Sequence, residues 1–335
     1  KAKMDISFSG APDYMDRMVG FGNASHYIFD NLNKFGVNCK VRDKDCKIGI
    51  SFSQPFQYKF AKDQYRIGYT PWESTDFPIS WTKIMNSCDE IWATSPWVED
   101  IYSKKLNVPI FVYEHGIDHA WSPSKRFKMP DEKIRFLHIG EPASRKDAQM
   151  VVDVFAELYG NNPKYELIIK ASGKNLTKIY NPDRAVFLGH PSAVYKNIKV
   201  IDKMLTVDQM FDLYRMCDVF VYPSWGEGFG FNPLQAMGMG IPTICTSGWA
   251  TYSKYITMPL DSQIYPSPWA ETHPGYMLKP NKDQLKHYMK EITKDYDKYA
   301  QLAFKNSFII HDLWDWEKVT EPAVKRLEKI YNSKL

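Results

Sequence analysis

The amino-acid sequence predicts an α/β protein made of two Rossmann-like domains. Its 335 residues exceed the length at which a single hydrophobic core usually stops growing, so two domains are expected. Short apolar runs alternate with amphipathic stretches of helical period, a pattern typical of parallel strands joined by crossover helices. Glycine-rich and charged segments follow some of these runs, and parallel sheets bind their ligands just past the carboxyl ends of strands.

The first domain is assigned to residues 1–125. Residues 4–9 alternate as a strand, residues 20–23 form a polar loop with two glycines, and an amphipathic helix over residues 24–35 ends at Gly36. Alternating elements of this kind predict a parallel sheet. Further strands of this sheet are expected at residues 37–41, 47–52, 65–69, 90–93 and 110–113.

The second domain is assigned to residues 131–310 and follows a basic, proline-bearing linker at residues 123–130. It opens with a strand at residues 134–139, a helix at residues 148–158 and a strand at residues 165–170. Apolar positions then keep helical spacing from residue 283 onward. The last helix is expected at residues 315–331, within a C-terminal segment of residues 311–335.

Glu227 stands in a glycine-rich turn after a predicted strand. Residues 219–222 form a short apolar run rich in β-branched and aromatic residues, as expected of a buried parallel strand. Gly228 and Gly230 would let the backbone pass close to a ligand. The carboxylate of Glu227 would repel a phosphate and would instead accept hydrogen bonds from neutral hydroxyls, which a sugar presents.

A helix is predicted to begin directly after this turn. Asn232 is a good N-cap, Pro233 suits the first helical position, and Gly240 and Pro242 end the helix. The amides of its first turn should face the glycines and attract an anion. The whole segment therefore predicts a site for a sugar joined to a diphosphate.

In these residues the chain resembles the family-4 glycosyltransferases of the GT-B fold. Their mark is a glutamate, seven further residues and a second glutamate, and here Gln235 takes the second position. The resemblance implies that Glu227 binds hydroxyls of the donor sugar, that the following amides hold sugar and diphosphate, and that Gln235 binds the nucleotide ribose. An amide can accept one hydroxyl and donate to another. The alternative for Gln235 is a capping box with Asn232.

The same resemblance extends to the domain organisation. Residues 114–118 resemble the turn that ends the first domain of this family, and the last helix would cross back onto that domain. The active site would lie in the cleft between the two domains.

A cationic segment follows the predicted strand at residues 134–139. Lys146 comes six positions after Gly140, the spacing at which the resembling family places a lysine that binds the donor diphosphate. The departing diphosphate gains negative charge, which a fixed cation stabilises without a metal. The family usually has an arginine after the glycine, where this chain has Glu141, and Arg145 is the candidate substitute. The alternative is a solvated helix N-terminus with two exposed bases.

The loop with Gly22 is predicted to meet the donor phosphates from the first domain. The alternative is a simple strand-to-helix turn. A dinucleotide-binding fingerprint is disfavoured, because its glycines should follow the first strand at once and some ten residues intervene here.

From the glycine-rich turn and the cationic segment we assign the catalytic role to Glu227, Lys146 and Arg145. The predicted donor-binding residues are Gly22, Gly140, Gly228, Phe229, Gly230, Phe231 and Gln235.

The predicted acceptor-binding residues lie in the first domain. Trp72, Glu73 and Asp76 follow a strand and offer an aromatic face and carboxylates to a hydroxyl-bearing partner. His115 would point into the cleft from the turn that closes the domain. The alternatives are a core position for Trp72 and, for His115, a role in capping or bracing the domain junction.

A basic stretch from residue 170 to residue 203 has seven basic and two acidic residues with interleaved aromatics. It could bind a polyanionic acceptor, such as DNA with hydroxymethylated bases, through phosphate contacts and stacking. The alternative is a solvated loop.

The overall sequence, including Trp269 and residues 273–275, resembles stand-alone phage-encoded glycosyltransferases. Such enzymes modify nucleic acid or virion protein.

Composition limits the remaining classes. The net charge of +4 comes from 43 basic and 39 acidic side chains in both halves, which argues against a protein dominated by nucleic-acid electrostatics. Five scattered cysteines support neither a disulfide framework nor a zinc site, and no metal site is predicted. With no leader and no apolar run of about 20 residues, a cytoplasmic protein is expected, in the host cytoplasm if phage-encoded.

The sequence thus predicts a retaining, metal-independent glycosyltransferase with a nucleotide-sugar co-substrate, most simply a UDP-sugar, and no further cofactor. Retention at the anomeric carbon is what the resemblance implies. The alternative of another class is a non-catalytic nucleotide-sugar binder or partner subunit. Neither the donor sugar nor the acceptor can be read from the sequence.

Overall fold

The computed structural model describes residues 4–10, 20–128, 132–140, 144–171, 195–201 and 203–334. The chain divides into two compact units, Lys1–Asp118 with Leu313–Leu335, and His119–Asp312. Each unit has a six-stranded parallel sheet with helices between its strands. The predicted α/β architecture with two sheets is therefore confirmed.

The first unit follows the predicted alternation of strands and helices. Its strands are β1 (Met4–Ser9), β2 (Val37–Val41), β3 (Ile48–Phe52), β4 (Tyr65–Tyr69), β5 (Glu90–Ala93) and β6 (Ile110–Val112), and its first helices are α1 (Gly20–Lys34), α2 (Ile79–Asn86) and α3 (Pro96–Ser103). The strands pair in parallel in the order β2-β1-β3-β4-β5-β6. Strand β3 is buried along its whole length, as an interior strand covered on both faces must be.

Helix α1 begins earlier than the sequence suggested. Residues 20–23 were expected to form a loop, but they form its first turn. The Phe21 ring packs 5.4 Å from the Phe52 ring of β3, and this tertiary contact offsets the low helix propensity of the neighbouring glycines. Gly22 therefore lies in a buried helical turn and not in a loop.

The second unit carries the larger set of elements. Its sheet strands are β7 (Ile134–Ile139), β8 (Tyr165–Lys170), β9 (Ile198–Ile201), β10 (Val219–Tyr222), β11 (Thr243–Thr246) and β12 (Met258–Leu260), and its helices are α4 (Ala148–Tyr159), α5 (Val207–Met216), α6 (Phe231–Gly238), α7 (Lys282–Lys294) and α8 (Tyr296–Leu313). The core between sheet and helices contains Phe136, Phe155, Leu167 and Val221, all less than 1% exposed.

The order of the second sheet places two loops side by side. Its strands are arranged β12-β11-β10-β7-β8-β9, and all of its strand pairs are parallel. The chain thus winds from β7 outward through β8 and β9, then returns to the other side of β7 with β10. This reversal is a topological switch point, and the loops after the two central strands open a crevice for a ligand.

A two-stranded antiparallel hairpin is added to the second unit. Strands β13 (Ser262–Pro266) and β14 (Tyr276–Pro280) pair in it. The amide of Leu278 donates to the carbonyl of Trp225 at 2.9 Å, which joins the hairpin to the loop after β10. Sequence alternation did not indicate this hairpin.

Helix α9 (Trp316–Lys334) packs on the first unit. Its Arg326 binds the buried carboxylate of Glu90 on β5 through two nitrogens, at 2.7 and 3.1 Å. The Thr320 hydroxyl lies 2.8 Å from the Tyr113 hydroxyl, and the Trp316 ring stacks on Tyr27. The final helix is therefore part of the first unit although it follows the second in sequence.

Candidate functional site

The loops that follow β7 and β10 are joined by a backbone hydrogen bond and by the side chain of Asp147. The amide of Trp225 donates to the carbonyl of Arg145 at 2.9 Å. Asp147 caps α4 by accepting from the Met150 amide, and its other carboxylate oxygen accepts from the Trp225 indole at 3.0 Å. Asp147 has a φ of 52°, a left-handed conformation that costs free energy in a residue other than glycine. This bend turns the preceding residue, Lys146, toward the loop after β10.

Lys146 and Glu227 meet above the carboxyl ends of β7 and β10. The Lys146 ammonium lies 2.5 Å from Oε1 of Glu227 and donates to the Tyr222 hydroxyl at 2.6 Å. Arg145 Nη1 lies 3.0 Å from the same Oε1 and donates to the carbonyl of Gly226 at 2.7 Å. The structure thus brings together the three residues that the sequence assigned to catalysis, from segments about 80 positions apart.

The two oxygens of the Glu227 carboxylate have different surroundings. Besides the two cations, Oε1 accepts hydrogen bonds from the Tyr222 hydroxyl at 2.6 Å and from the Ser224 hydroxyl at 2.9 Å. Within the described residues, no hydrogen bond reaches Oε2. One oxygen therefore anchors the side chain, and the other can accept hydrogen bonds from a ligand.

The site keeps Glu227 ionised although it is only 6% exposed. Burial alone would raise the pKa of this carboxyl, but Arg145 and Lys146 outweigh burial and lower it to about 2. The same burial raises the pKa of Tyr222 well above its usual value, so this hydroxyl stays protonated as a donor. The cluster is therefore a fixed arrangement of one carboxylate and two cations.

Gly140 and Gly230 both lie in close contact with side chains of the second unit. A Cβ on Gly140 would lie 3.3 Å from Cγ of Lys146, so the aliphatic stem of the lysine rests against this glycine. Gly230 has a φ of 90°, and a Cβ there would lie 2.5 Å from the Tyr252 hydroxyl. Any larger residue at Gly230 would be strained by both its backbone and its surroundings.

The start of α6 differs from the prediction. Gly230, in the left-handed conformation, is the N-cap, and no side chain caps the helix, so the predicted cap at Asn232 is wrong. The Tyr252 hydroxyl donates to the Gly230 carbonyl at 2.7 Å and holds this entry. Pro233 accordingly lies in the third helical position.

The position of Gln235 favours a role other than helix capping. The capping box with Asn232 is wrong, because Asn232 lies inside the helix. Gln235 is only 7% exposed, and its side-chain amide makes no hydrogen bond with the described residues. A buried amide of this kind favours a ligand as its partner.

The predicted acceptor residues of the first unit lie on one loop after β4. Trp72 is 2% exposed, packs edge-to-face on Trp81, and donates from its indole to the carbonyl of Asp76 at 2.6 Å. It is thus a core residue, which was the alternative given for it. Glu73 and Asp76 are partly exposed, and Asp76 forms an ion pair with Lys105 at 3.0 Å. Their contact with an acceptor stays a prediction.

His115 is buried in an aromatic cluster of the first unit. It is 4% exposed, and its ring lies 6.1 Å from that of Phe52 and 6.2 Å from that of Trp316. Burial lowers the pKa of this histidine to about 3, so it is neutral at physiological pH. Its contact with an acceptor stays a prediction.

Several predicted features fall on residues that the structure does not describe. Glu141 and most of the basic stretch, residues 172–194 and 202, lie outside the described residues. Lys196 and Lys199 are described, and Lys199 lies 3.4 Å from Glu166 in an ion pair. The predicted contacts of the stretch with nucleic acid stay a prediction.

Some site residues were missed by sequence reasoning. Tyr222 and Ser224 complete the shell around Glu227, and Asp147 and Trp225 fasten the two loops. A hydroxyl at the end of a buried strand, directly before the proposed loop, was the available signal for Tyr222. Nothing in the local sequence marks Asp147 as left-handed.

The described part of the chain offers no group of three or more His, Cys, Asp or Glu side chains arranged to hold a metal ion. A separate search of the described helices finds none long and apolar enough to cross a membrane.

The two parallel sheets, with a cation–carboxylate cluster past the switch strands of the second, define a protein of the GT-B fold. A model of the family "Glycosyl transferases group 1" matches residues 121–306, more than half of the chain. The chain therefore belongs to this family. The narrower resemblance to family 4 and to phage-encoded members stays a prediction.

Known proteins are similar to this chain in sequence or in fold, at low sequence identity. Serotype-specific mannosyltransferase WbdA of Escherichia coli is 28% identical over 136 residues, covering 40% of this chain and 16% of that protein. The chain therefore spans less than a fifth of this relative. Sucrose-phosphate synthase of Thermosynechococcus elongatus superposes with a TM-score of 0.73 at 12% identity, covering 99% of this chain and 100% of that one. HepE of Anabaena, in complex with UDP-glucose, gives a TM-score of 0.67 at 12% identity, covering 97% and 99%.

Proposed function

We propose that the chain is a retaining glycosyltransferase that moves a sugar from a nucleotide-sugar donor to a hydroxyl acceptor. The observation that carries this proposal is the meeting of Lys146, Arg145 and Glu227 at the switch point of the second sheet. Family membership supports the reaction class. The complex of HepE with UDP-glucose supports a UDP-sugar as the donor.

The charges of the site suit the two halves of such a donor. Lys146 and Arg145 would stabilise the diphosphate as it departs with growing negative charge. The N-terminal end of α6, which carries partial positive charge, begins in the same loop and would add to this stabilisation. Oε2 of Glu227 would accept hydrogen bonds from the sugar hydroxyls, and the buried amide of Gln235 would bind the ribose.

The proposed reaction requires no further base. The bond between the anomeric carbon and the diphosphate oxygen breaks, and the acceptor oxygen bonds to the same face of that carbon. The leaving phosphate oxygen then takes the proton of the acceptor hydroxyl. Holding that phosphate oxygen next to the acceptor is the task of the two cations.

The acceptor is proposed as a hydroxyl group on DNA with hydroxymethylated bases or on a virion protein. The basic residues between positions 170 and 203, other than the buried Lys170, support the DNA acceptor, and Glu73 and Asp76 are the proposed contacts in the first unit. A cytoplasmic location, in the host if the protein is phage-encoded, belongs to the same proposal.

A ligand panel tests the proposal. Thermal unfolding is measured with nucleoside diphosphates, nucleotide sugars and, as a control, nucleosides, because a ligand that binds only the folded state raises the apparent stability. One nucleotide sugar is expected to raise the unfolding temperature and to be hydrolysed slowly without acceptor. Binding without hydrolysis or transfer would identify a non-catalytic binder, and no shift with any nucleotide would refute the donor.

A further inference from the structure

The two cations assigned to the diphosphate already have an anionic partner within the protein. Both Lys146 and Arg145 lie within 3.0 Å of one oxygen of Glu227. The carboxylate cannot withdraw easily, because the Tyr222 and Ser224 hydroxyls bind the same oxygen. A diphosphate that contacts these cations must therefore share them with a fixed negative charge.

We propose that Glu227 is a built-in counter-ion that makes the site prefer the intact nucleotide sugar over the free nucleoside diphosphate. This inference rests on the proposed function. Both ligands bring phosphate charge close to Glu227, and that repulsion opposes their binding. Only the nucleotide sugar also brings hydroxyls, which can donate to the open Oε2.

The chemical step strengthens this difference. When the sugar has left and the proton taken up by the phosphate oxygen has passed to water, the diphosphate carries one more negative charge than it did in the donor, while Glu227 has lost its hydroxyl partners. The product complex thus combines stronger repulsion with fewer hydrogen bonds, and release of the nucleoside diphosphate is favoured. Glu227 would act in donor selection and product release in addition to binding the sugar.

The surroundings of Glu227 allow a test by a neutral isostere. Glu227→Gln removes the charge and keeps the size, so the two cations become available to phosphate. Close charge pairs that are largely shielded from water are worth a factor of about ten or more in affinity. We expect Glu227→Gln to bind UDP about tenfold more tightly than the wild type, while its preference for UDP-glucose over UDP falls by at least as much.

Glu166 offers a matched control in the same unit. It is also buried, at 5% exposure, and is surrounded by Lys133, Arg135 and Lys199. It lies at the amino end of β8, however, whereas the Glu227 cluster lies past the carboxyl ends of the strands. Glu166→Gln removes the same charge and is expected to leave UDP affinity unchanged.

The measurement is isothermal titration calorimetry with UDP and UDP-glucose, or with the equivalent pair if the panel selects another base or sugar. Unchanged or weaker UDP binding by folded Glu227→Gln would overturn the inference and leave the proposed function standing. The wild type alone also provides a test: if it binds UDP more tightly than it binds UDP-glucose, the inference is overturned. If neither ligand class binds the wild type, the proposed function fails and the inference fails with it.

Discussion

At the scale of single residues, the cluster depends on Tyr222 as much as on the charged groups. Its hydroxyl accepts from Lys146 and donates to Glu227, both at 2.6 Å, and the lysine ammonium also lies 5.1 Å from the centre of its ring. A tyrosine at the end of β10 can therefore position both partners at once. Its buried hydroxyl would be costly to leave without them.

Lys146 is predicted to contribute more to transfer than to folding. Lys146→Ala should lower kcat/KM by about 10²-fold or more, the scale of losing one fixed transition-state contact. The measurement is the initial rate of sugar transfer, or of donor hydrolysis, with the donor found by the panel. Near-normal turnover by a folded variant would refute the assignment.

Lys128 supplies the control for this prediction. It also forms a largely buried ion pair, 2.9 Å from Asp218, and is 17% exposed. Asp218 lies directly before β10, at the amino end of the strand, whereas Glu227 follows its carboxyl end. Lys128→Ala should therefore affect stability and leave kcat/KM within a few-fold of wild type, so equal losses in both variants would indicate a structural effect.

The charged residues of the site were predictable from the sequence, whereas the residues that position their side chains were less so. Lys146 and Glu227 stand at recognisable spacings after glycines and predicted strands. Lys146 and Glu227, which are in contact, lie 81 positions apart in sequence. Trp225 and Asp147, which also contact each other, lie 78 positions apart. Local sequence carries no signal for such pairs, because they arise from the order of strands in the sheet.

At the scale of elements, each strand that was predicted lies within one residue of its observed bounds, but β9, β11 and β12 were missed and two helix starts were wrong. Both α1 and α6 begin at or beside glycines that the sequence assigned to turns. Glycine has low helix propensity, but the contacts of Phe21 with Phe52 and of Gly230 with Tyr252 fix the entry of each helix. Tertiary packing thus overrode a local preference in both units.

Helix α9 is predicted to depend on one buried ion pair. Glu90 is fully buried and accepts from Arg326, from the Tyr65 hydroxyl and from the Trp92 indole. Arg326→Met should destabilise the first unit by about 3–5 kcal/mol, because it leaves a buried charge without its cation. The free energy of unfolding in urea, with hydrogen exchange of α9 amides, measures this effect.

The neighbouring residue on the helix is the matched control. Lys325 pairs with Glu321, but the two side chains are 71% and 62% exposed. Lys325→Met should cost at most about 1 kcal/mol, since water already solvates both charges. Combining Arg326→Met with Glu90→Gln should recover part of the loss, and no recovery would mean that the arginine stabilises the helix by packing alone.

At the scale of the whole molecule, periodicity predicted two parallel sheets but not their strand orders. Alternating strands and helices specify a parallel sheet, whereas the side on which each new strand is added depends on packing of the whole unit. The position of β10 beside β7 was therefore not readable from the sequence. The hairpin of β13 and β14 was also missed, because each of its strands ends in a proline and neither shows clean alternation.

The last prediction concerns sugar transfer in the absence of a divalent metal. Lys146 and Arg145 supply two positive charges at the point where the leaving diphosphate would accumulate charge, which is the task a metal performs in other transferases. Transfer should therefore persist at a similar rate in excess EDTA, measured as product formed from donor and acceptor. Complete loss of transfer in EDTA, restored by magnesium or manganese, would contradict the prediction. Added magnesium should also fail to restore Lys146→Ala, because the missing charge belongs to a side chain held against Glu227 and Tyr222 and not to an exchangeable ion.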